Sequence, residues 1–448
     1  MLETSACFQN DARGSDGSIS LSEVISALSF ALDLTEGAVW GHALRSCLLG
    51  MRIADEIGLP DEKRRSLYFA LLLKDVGWSS NATRMGQIDR IARIVRNGVT
   101  QHVNHVEIIG LRCDRGASIV TKLGLGADTA EAVRSLDEHW DGDGYPDSLK
   151  GEQISVLARI CAVAQHLDVF SAGLGIQAAI DTLVERSGRW FDPQLVRLAV
   201  SLHRRGRLWG HCLATDSQDE TRRAVLDMDS GRHQLEAGRI DQICEAFADV
   251  VDAKSHFTFR HSMGVADAAY GIARGMGLSP ERVQLVRRAA LLHDIGKLSV
   301  SNAILDKTTK LNEMEWKAVQ QHPGLTRQIL ERVGPFREMA VIAGEHHEKL
   351  DGSGYPNRLI APELSLESRI IAVADVYGAL SEDRPYRAGL EIEQIIAIMS
   401  KLAPRQLDGG CFEALVSLMQ RTPGVSASGS YSTDAPQSHS LAAAEVAA

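Results

Sequence analysis

The 448-residue sequence lacks the patterns that mark membrane-spanning, secreted and zinc-ribbon proteins. No apolar run approaches the roughly eighteen residues that a bilayer span needs. The first residues contain no basic stretch followed by an apolar core, so they do not predict a secretory signal. The seven cysteines are widely spaced and form no CxxC pair, which favours reduced thiols over a disulfide framework. We therefore expect a cytoplasmic protein without a membrane span.

Positive charge is also scarce. The 48 Lys and Arg residues against 58 Asp and Glu residues give a formal net charge of −10. A chain with this charge is not expected to bind a nucleic-acid polymer through its phosphate backbone. An anionic ligand would need a local cluster of cations or a bound metal. With 44% hydrophobic and 24% charged residues, the composition is nevertheless that of a folded globular protein.

An internal repeat organises the chain. The segment DGDGYP at residues 141–146 recurs as DGSGYP at residues 351–356, an offset of 210. Upstream, the segment around His42 matches the segment around His261 at an offset of 219. Because the two offsets differ by nine, the first copy carries nine extra residues between these landmarks. Copies of roughly 180 residues indicate a duplicated domain rather than a solenoid of short repeats.

Apolar residues recur at helical spacing in both copies. Val283, Val286, Ala290 and His293 are three or four residues apart, which predicts a helix ended by Gly296 with this histidine on its apolar face. Strand-like alternation is sparse. We therefore predict an all-α fold of two tandem helical bundles. The predicted segments are a flexible N-terminus at 1–20, a first bundle at 21–206, a linker at 207–239, a second bundle at 240–420 and a disordered tail at 421–448.

The second copy concentrates side chains that bind divalent metals. Five imidazoles and two carboxylates are more than one ion requires, but they suit two ions if a carboxylate such as Asp294 bridges them. Two ions about 3.5–4 Å apart can activate a water and stabilise the oxygens of a phosphoester displacement. A set without cysteine suits iron, manganese or a similar ion. The candidate ligands are His261, His293, Asp294, His322, His346, His347 and Asp375.

Three segments carry a resemblance to a known family. They read HDIGK at 293–297, HHEKLDGSGYP at 346–356 and RIIAVADVYGALSEDRPYR at 369–387. Together they resemble the signatures of the HD-GYP family, a branch of the HD phosphohydrolases whose members are bacterial cyclic di-GMP phosphodiesterases. The resemblance implies tandem HD-domain helical bundles, with a second bundle that hydrolyses cyclic di-GMP to linear pGpG. Further cleavage to GMP stays open.

The resemblance also implies roles for individual residues. It matches all seven candidate ligands to the family's metal site and makes Asp294 the bridging carboxylate. Lys297 resembles a lysine that contacts the scissile phosphate, although a cation at a helix C-terminus is the alternative. Guanidinium groups suit phosphate oxygens, although the matched arginines have a solvated surface position as their alternative. The matched substrate-binding residues are Gly354, Tyr355, Pro356, Arg384 and Arg387.

Two departures from the family pattern modify this expectation. Phe257 stands where some members have a glutamate that helps to hold a third metal, so we expect two ions. Ser301 and Asn302 stand where a Pro-Asp pair is common. We expect the second departure to affect rate or access to the site more than the class of reaction.

The first copy has lost most of the ligands. Only His42 and Asp75 persist, and two ligands cannot hold a dinuclear centre, so we expect this copy to be catalytically inactive. Packing against the second copy, homodimer formation and sensing are the hypotheses for its role, and a structural role is favoured over the binding of an anion by Lys74 and Arg112. The replacements are Lys74 for His293, Arg112 for His322, Leu136 and Asp137 for the pair His346 and His347, and Gln165 for Asp375.

A calcium loop in the first copy is rejected. The stretch DGDGYPDSLKGE has acidic residues at ligand spacing, but an EF-hand needs glycine at its sixth position and an oxygen donor at its fifth. Pro146 and Tyr145 occupy those positions. Two alternatives to a cyclic di-GMP phosphodiesterase stay open: an HD phosphohydrolase for another cyclic dinucleotide, and a regulatory scaffold that binds a nucleotide without cleaving it.

Overall fold

A computed structural model describes residues 19–36, 41–79, 103–210, 218–229, 235–254, 261–382 and 388–421. These residues form α-helices and short 3-10 turns without a β-strand, so the all-α prediction is confirmed. No helix of the described segments is long and apolar enough to cross a bilayer. Phe257, Arg384 and Arg387 lie outside the described residues, as do most of the predicted flexible N-terminus and disordered tail.

The first bundle contains eight of the described helices. Local capping explains several of their boundaries: the Asp192 carboxylate accepts a hydrogen bond from the Gln194 backbone, and Pro193 follows at the first helical position. The helices are α1 (Leu21–Glu36), α2 (His42–Ile57), α3 (Asp61–Leu73), α4 (Val103–Lys122), α5 (Ala127–Arg134), α6 (Val156–Leu174), α7 (Ile176–Glu185) and α8 (Pro193–Arg204).

A helix outside both bundles, α9 (Gln218–Asp227), lies within the predicted linker. It packs against α1 and α2, and the Arg222 guanidinium donates a 2.7 Å hydrogen bond to the backbone carbonyl of Arg332 in the second bundle. The linker is therefore structured in part. The other predicted boundaries stay predictions.

The second bundle repeats the architecture of the first. Its helix α12 begins like α8, with the Ser279 hydroxyl capping and Pro280 following. The helices are α10 (Ala237–Asp252), α11 (His261–Gly275), α12 (Pro280–Leu292), α13 (Asn302–Leu305), α14 (Glu313–Gln320), α15 (His322–Leu330), α16 (Arg337–Gly344), α17 (Leu366–Ser381), α18 (Ile392–Leu402) and α19 (Gly409–Arg421).

Helix α12 ends earlier than the sequence predicts, at Leu292, and a 3-10 turn at Ile295–Ser299 follows. The turn packs tightly on α15: a Cβ at Gly296 would lie 2.0 Å from the His322 carbonyl oxygen. The Thr326 hydroxyl accepts a hydrogen bond from the Gly296 backbone and donates one to the His293 carbonyl. Glycine therefore permits the close approach that brings the chain after α12 beside α15.

The first helix of each bundle lies between the two bundles. Helix α1 packs on α2 and α3 and also on α15 and the Ile295–Ser299 turn of the second bundle. Helix α10 packs on α11 and α12 and also on α4 and the Val76–Ser79 turn of the first bundle. The Arg332 guanidinium carbon lies 3.7 Å from the ring centre of Phe30 on α1. One continuous cluster of buried apolar side chains therefore includes both bundles.

Candidate metal centre

The structure brings all seven sequence-predicted ligands together at the centre of the second bundle. Each is buried, which is unusual for histidine and aspartate and indicates that they satisfy one another or a bound ion. Five segments contribute them: the start of α11, the residues after α12, the start of α15, the residues after α16 and the middle of α17. The residues are His261, His293, Asp294, His322, His346, His347 and Asp375.

Asp294 lies in the middle of this cluster, and its two carboxylate oxygens face different histidines. Oδ2 is 3.4 Å from His293 Nε2 and 3.9 Å from His261 Nε2. Oδ1 is 3.3 Å from His322 Nε2 and 3.7 Å from His346 Nε2. One carboxylate therefore serves two groups of nitrogen donors, which is the arrangement that a bridging ligand between two ions requires.

Asp375 forms the second negative centre of the cluster. Its Oδ1 is 3.2 Å from His261 Nε2 and 3.5 Å from His293 Nε2. Its Oδ2 is 3.7 Å from His347 Nδ1. The imidazoles of His261 and His293 therefore lie close to both carboxylates.

Backbone carbonyls orient three of the imidazoles. The Nδ1 atoms of His293, His322 and His346 lie 2.7, 2.6 and 2.7 Å from carbonyl oxygens three residues earlier in the chain. His261 Nδ1 instead lies 2.8 Å from the Glu382 carboxylate. If Nδ1 carries the proton that donates these bonds, each Nε2 keeps its lone pair for the interior. This is the usual outer-shell arrangement of metal-binding histidines.

The two carboxylates remain ionised inside the bundle. Burial acts to raise the pKa of Asp294, but the attraction of His293, Lys297 and His322 outweighs it and holds the pKa well below its usual range. Burial likewise opposes ionisation of Asp375, yet the neighbouring imidazoles of His261 and His293 keep its pKa well below the ordinary value. The site therefore presents two negative charges to a cation.

Most of the imidazoles are held neutral. Burial, reinforced by the neighbouring histidines, lowers the pKa of His346 to about 3 and lowers the pKa of His347 well below its usual value. Burial also lowers the pKa of His322, although Asp294 acts in the opposite direction. His293 differs, because Asp294 and Asp375 outweigh its burial and raise its pKa. Neutral imidazoles are the form that binds metal, so the site favours metal binding at neutral pH.

Buried polar atoms that lack a hydrogen-bond partner indicate whether metal ions fit this arrangement. Within the described part of the chain, His293 Nε2 and Asp294 Oδ1 have no hydrogen-bond partner although both are buried. Such atoms are costly unless a ligand completes them. Three groups of side chains have donor atoms within 4.8 Å of one another, and all three lie in the second bundle. The groups are His322, His346 and His347; His261, His293 and Asp375; and His293, Asp294 and His346.

Lys297 lies at the edge of the cluster on the 3-10 turn after Asp294. Its Nζ is 2.5 Å from Asp294 Oδ2, and its side chain is 20% exposed while that carboxylate is 2% exposed. The ammonium therefore sits between the buried centre and solvent. Whether it contacts the substrate phosphate or acts as a helix C-terminal cation stays a prediction for this residue.

The Gly-Tyr-Pro loop borders the same site. The Tyr355 ring lies 4.7 Å from the His347 ring at 35°, and burial raises the pKa of its hydroxyl. Gly354 serves the loop itself, because a Cβ there would lie 2.4 Å from the Lys349 backbone nitrogen. Pro356 is exposed and follows Tyr355 through a cis peptide bond. Of these three predicted substrate-binding residues, Tyr355 contacts the metal-ligand cluster.

Sequence reasoning missed three residues that support or border the site. Glu382 contacts His261, as described above. Glu348 accepts hydrogen bonds from the Asn357 and Leu359 backbones at 2.6 and 2.9 Å and so holds the Gly-Tyr-Pro loop. Trp316 on α14 lies 6.0 Å from the Tyr355 ring. A signal existed for Glu348, because Glu138 stands at the same position in the first copy.

The equivalent centre of the first bundle is filled by cationic side chains. Lys74 Nζ lies 2.6 Å from His42 Nε2 and also forms an ion pair with Asp75. Arg112 is 3.5 Å from the other Asp75 oxygen and pairs with Asp137. Burial acts to raise the pKa of Asp75, but Lys74 and His42 outweigh it and lower the pKa. These ammonium and guanidinium groups balance the carboxylates without an ion from solution.

The outer partner of the retained histidine also has a counterpart. His42 Nδ1 lies 2.6 Å from Asp168 Oδ2, as His261 lies beside Glu382. Arg45 donates a 2.6 Å hydrogen bond to the other oxygen of Asp168. The first bundle thus keeps the orientation of this histidine while its Nε2 faces an ammonium group.

Comparison with known proteins gives a consistent set of relatives. A family model described as an HD domain matches residues 31–195 and again 245–410. The 3'3'-cGAMP-specific phosphodiesterase 3 of Vibrio cholerae is 39% identical over 442 residues, which cover 90% of this chain and 95% of that protein. The cyclic di-GMP phosphodiesterase response regulator RpfG of Xanthomonas campestris is 38% identical over 147 residues, which cover 32% of this chain and 39% of that protein.

A solved structure is similar over nearly the whole chain. The crystal structure of a cyclic GMP-AMP specific phosphodiesterase of Vibrio cholerae, V-cGAP3, has a TM-score of 0.66 and 38% sequence identity. The match covers 91% of this chain and 99% of that chain. The similarity therefore includes both bundles.

Proposed function

Because the chain belongs to the HD-domain family and is a metal-dependent phosphohydrolase for cyclic dinucleotides, we propose that its second bundle hydrolyses 3'3'-cGAMP at a dinuclear metal site. The observation that carries the proposal is Asp294, whose two oxygens face two separate groups of histidines. The reaction opens one of the two phosphodiester bonds and gives a linear dinucleotide.

The choice of substrate rests on the relative that matches over both bundles, whose name specifies 3'3'-cGAMP. The family resemblance in the sequence implies cyclic di-GMP, and this finer assignment is not confirmed. Cyclic di-GMP stays the second candidate, because the second copy carries the complete Gly-Tyr-Pro and RPYR motifs and several shorter matches are cyclic di-GMP phosphodiesterases. Both molecules present the same pair of phosphodiesters, so the metal site alone does not choose between them.

The ligand groups suggest how two ions would be held. His261, His293 and Asp375 would hold one ion, and His322, His346 and His347 the other, with Asp294 shared between them. Bound ions of this kind activate water and stabilise the attacking and leaving oxygens of a phosphate. Iron and manganese fit a set of nitrogen and oxygen donors, and their identity stays a prediction.

The chain's own cations complete the site. Lys297 is held by Asp294 and is partly exposed, so its ammonium can donate a hydrogen bond to a phosphate oxygen of the substrate. It would stabilise negative charge that develops on that phosphate. Arg384 and Arg387 are expected to contribute further phosphate contacts. These three cations would supply the local positive charge that an anionic substrate needs on a chain of net charge −10.

A pair of matched variants tests the proposal. The His293→Ala, Asp294→Ala variant should lose its metal and at least about 1,000-fold of its turnover of 3'3'-cGAMP, since charge stabilisation at the phosphate disappears. The Lys74→Met, Asp75→Asn variant changes the equivalent positions of the first bundle and should keep both. The measurements are metal content of anaerobically purified protein and hydrolysis with manganese or ferrous iron.

Several outcomes would contradict the proposal. Equal turnover in the His293→Ala, Asp294→Ala variant would remove the second bundle as the catalytic centre. Tight nucleotide binding without turnover in metal-loaded wild-type protein would favour the regulatory scaffold. Faster turnover of cyclic di-GMP than of 3'3'-cGAMP would reverse the choice of substrate. The cytoplasmic location and the homodimer through the first bundle stay predictions.

A further inference from the structure

Trp316 occupies an unusual place beside the metal-ligand cluster. It lies on α14, and its ring meets the Tyr355 ring edge-on, with 6.0 Å between centroids and 76° between planes. The Tyr355 ring in turn lies 4.7 Å from the ring of His347. Three aromatic rings therefore form a series that leads from the ligand cluster toward solvent.

Helix α14 leaves this tryptophan partly exposed to solvent. None of the residues of α14 is buried, Trp316 is itself only half-buried, and the neighbouring Met314 is 79% exposed. Polar contacts fix the start of the helix: Asn312 and Glu315 form a reciprocal capping box, and Lys307 pairs with Glu315 at 2.6 Å. Formation of an apolar core therefore does not account for a large aromatic side chain here.

We propose that Trp316 stacks on one purine base of the bound cyclic dinucleotide, with Tyr355 forming the inner wall of this base subsite. The inference rests on the proposed function, which places a phosphate beside Asp294 and Lys297. A base of that nucleotide would then lie within reach of the aromatic series, which begins at the metal-ligand candidate His347 and ends at Trp316. A half-exposed indole offers the flat face on which a purine stacks.

The proposal predicts affinity rather than selectivity at this position. Stacking accepts any base, because every base has a π-face. A change at Trp316 should therefore weaken the binding of 3'3'-cGAMP and of cyclic di-GMP to a similar extent. Selection between adenine and guanine would need hydrogen bonds to the edge of a base, which an indole face does not make.

Fluorescence can detect the contact directly. Trp316 is the only tryptophan after residue 209, and the other five are Trp40, Trp78, Trp140, Trp190 and Trp209. A bis-phosphorothioate analogue of the cyclic dinucleotide, whose cleavage is slow, should quench tryptophan emission of the metal-loaded wild-type protein. The Trp316→Phe variant should bind the analogue with little or no quenching. Undiminished quenching in this variant, or none in the wild type when the analogue binds, would overturn the proposal.

Kinetics separate stacking from a general structural effect. Trp316→Ala should raise KM for both cyclic dinucleotides by about five- to 150-fold and change kcat little, which corresponds to the loss of one stacked base. Trp316→Phe should recover most of the affinity because it keeps an aromatic face. Glu313→Gln, on the same helix with an 82% exposed side chain, should behave as the wild type. A KM unchanged in Trp316→Ala would overturn the proposal.

A substrate without a purine distinguishes failure of this inference from failure of the proposed function. Wild-type protein and Trp316→Ala should hydrolyse methyl 4-nitrophenyl phosphate at the same rate, since that phosphodiester has no base to stack. A parallel loss in the variant would show that Trp316 supports the metal site and would overturn the stacking role. If wild-type protein hydrolyses neither cyclic dinucleotide, the proposed function fails independently of Trp316.

Discussion

The two bundles solve the same electrostatic problem in different ways. Each buries an aspartate at the centre of the bundle, Asp75 in the first and Asp294 in the second. In the first bundle the buried Lys74 and Arg112 lie against that carboxylate, whereas in the second bundle imidazoles surround it and the partly exposed Lys297 pairs with one of its oxygens. A buried carboxylate needs positive charge nearby. In the first bundle the chain supplies this charge itself, whereas in the second bundle the proposed metal ions would add to the positive charge of Lys297.

The loops beside the two centres are much more alike than the centres. Glu138 accepts hydrogen bonds from the Asp147 and Leu149 backbones at 2.7 and 2.9 Å, as Glu348 does in the second bundle. Ser148 and Arg358 have matching left-handed backbones, with φ of 55° and 58°. The loop geometry therefore does not depend on the metal ligands, and we infer that its retention in the first bundle serves the fold.

The largest expected effect is on the stability of the first bundle, and it follows from substitution of Lys74. Lys74→Met removes the fully buried ammonium group that pairs with Asp75, and breaking such a pair costs about 3–5 kcal/mol of unfolding free energy. The second substitution, Asp75→Asn, removes the carboxylate charge that has lost its partner and should restore most of the lost unfolding free energy. Urea unfolding of the two variants measures both effects. A single variant within about 1 kcal/mol of wild type would show that the cation is not needed to balance Asp75.

Smaller effects are expected at Glu138 and Glu348, which occupy equivalent positions in the two bundles, and the effect on turnover should differ between them. Glu138→Gln and Glu348→Gln each replace an acceptor of two backbone hydrogen bonds and should cost about 1–3 kcal/mol of stability. Only Glu348→Gln should also lower kcat/KM, because its loop carries Tyr355 beside the ligand cluster. Unfolding and turnover measured on the same preparations separate the two effects. Equal losses of turnover would mean that the first bundle's loop also acts on the reaction.

The smallest effect concerns acid sensitivity and His166 of the first bundle. This buried imidazole packs on Phe170 and Phe191 at 4.3 and 4.9 Å, and burial together with Arg186 lowers its pKa to about 3. Between that value and the ordinary pKa of about 6.5, the unfolded chain binds a proton that the folded chain does not. Acidification below pH 6.5 should therefore destabilise the fold, by up to about 1.4 kcal/mol per pH unit.

The variant His166→Leu isolates this contribution. It should flatten the fall in unfolding free energy between pH 6.5 and pH 5, relative to wild type, because it removes the group that takes up the proton. Urea unfolding across this pH range provides the measurement. Identical pH dependence in both proteins would show that His166 is already protonated in the folded state, or that other groups determine the response.

The sequence predicted the architecture because a repeat preserves spacing. Two offsets, 210 and 219, predicted two copies of one helical bundle, and the concentration of metal-binding side chains in the second copy predicted seven residues that the fold brings together. Spacing along a helix could not show that the carbonyls before His293, His322 and His346 orient these rings, because that depends on how each helix ends. The early end of α12 was missed for the same reason.

The spacing of apolar residues could not predict the contacts between the bundles. An apolar stripe on a helix predicts that the stripe is buried, but it does not identify the partner. Helix α1 has its nearest helices in sequence as partners and also a turn more than 250 residues away. The sequence therefore predicted two bundles in tandem but not that the first helix of each one contacts the other.

The contact of α1 with the second bundle has a consequence for the synthesis of the protein. The face of α1 that meets the Ile295–Ser299 turn and α15 has no partner until those residues have left the ribosome. At translation rates of about 5–20 residues per second, this delay lasts on the order of tens of seconds. During that time the nascent chain exposes a surface that the finished protein covers, so α1 is where we expect chaperones to bind during synthesis.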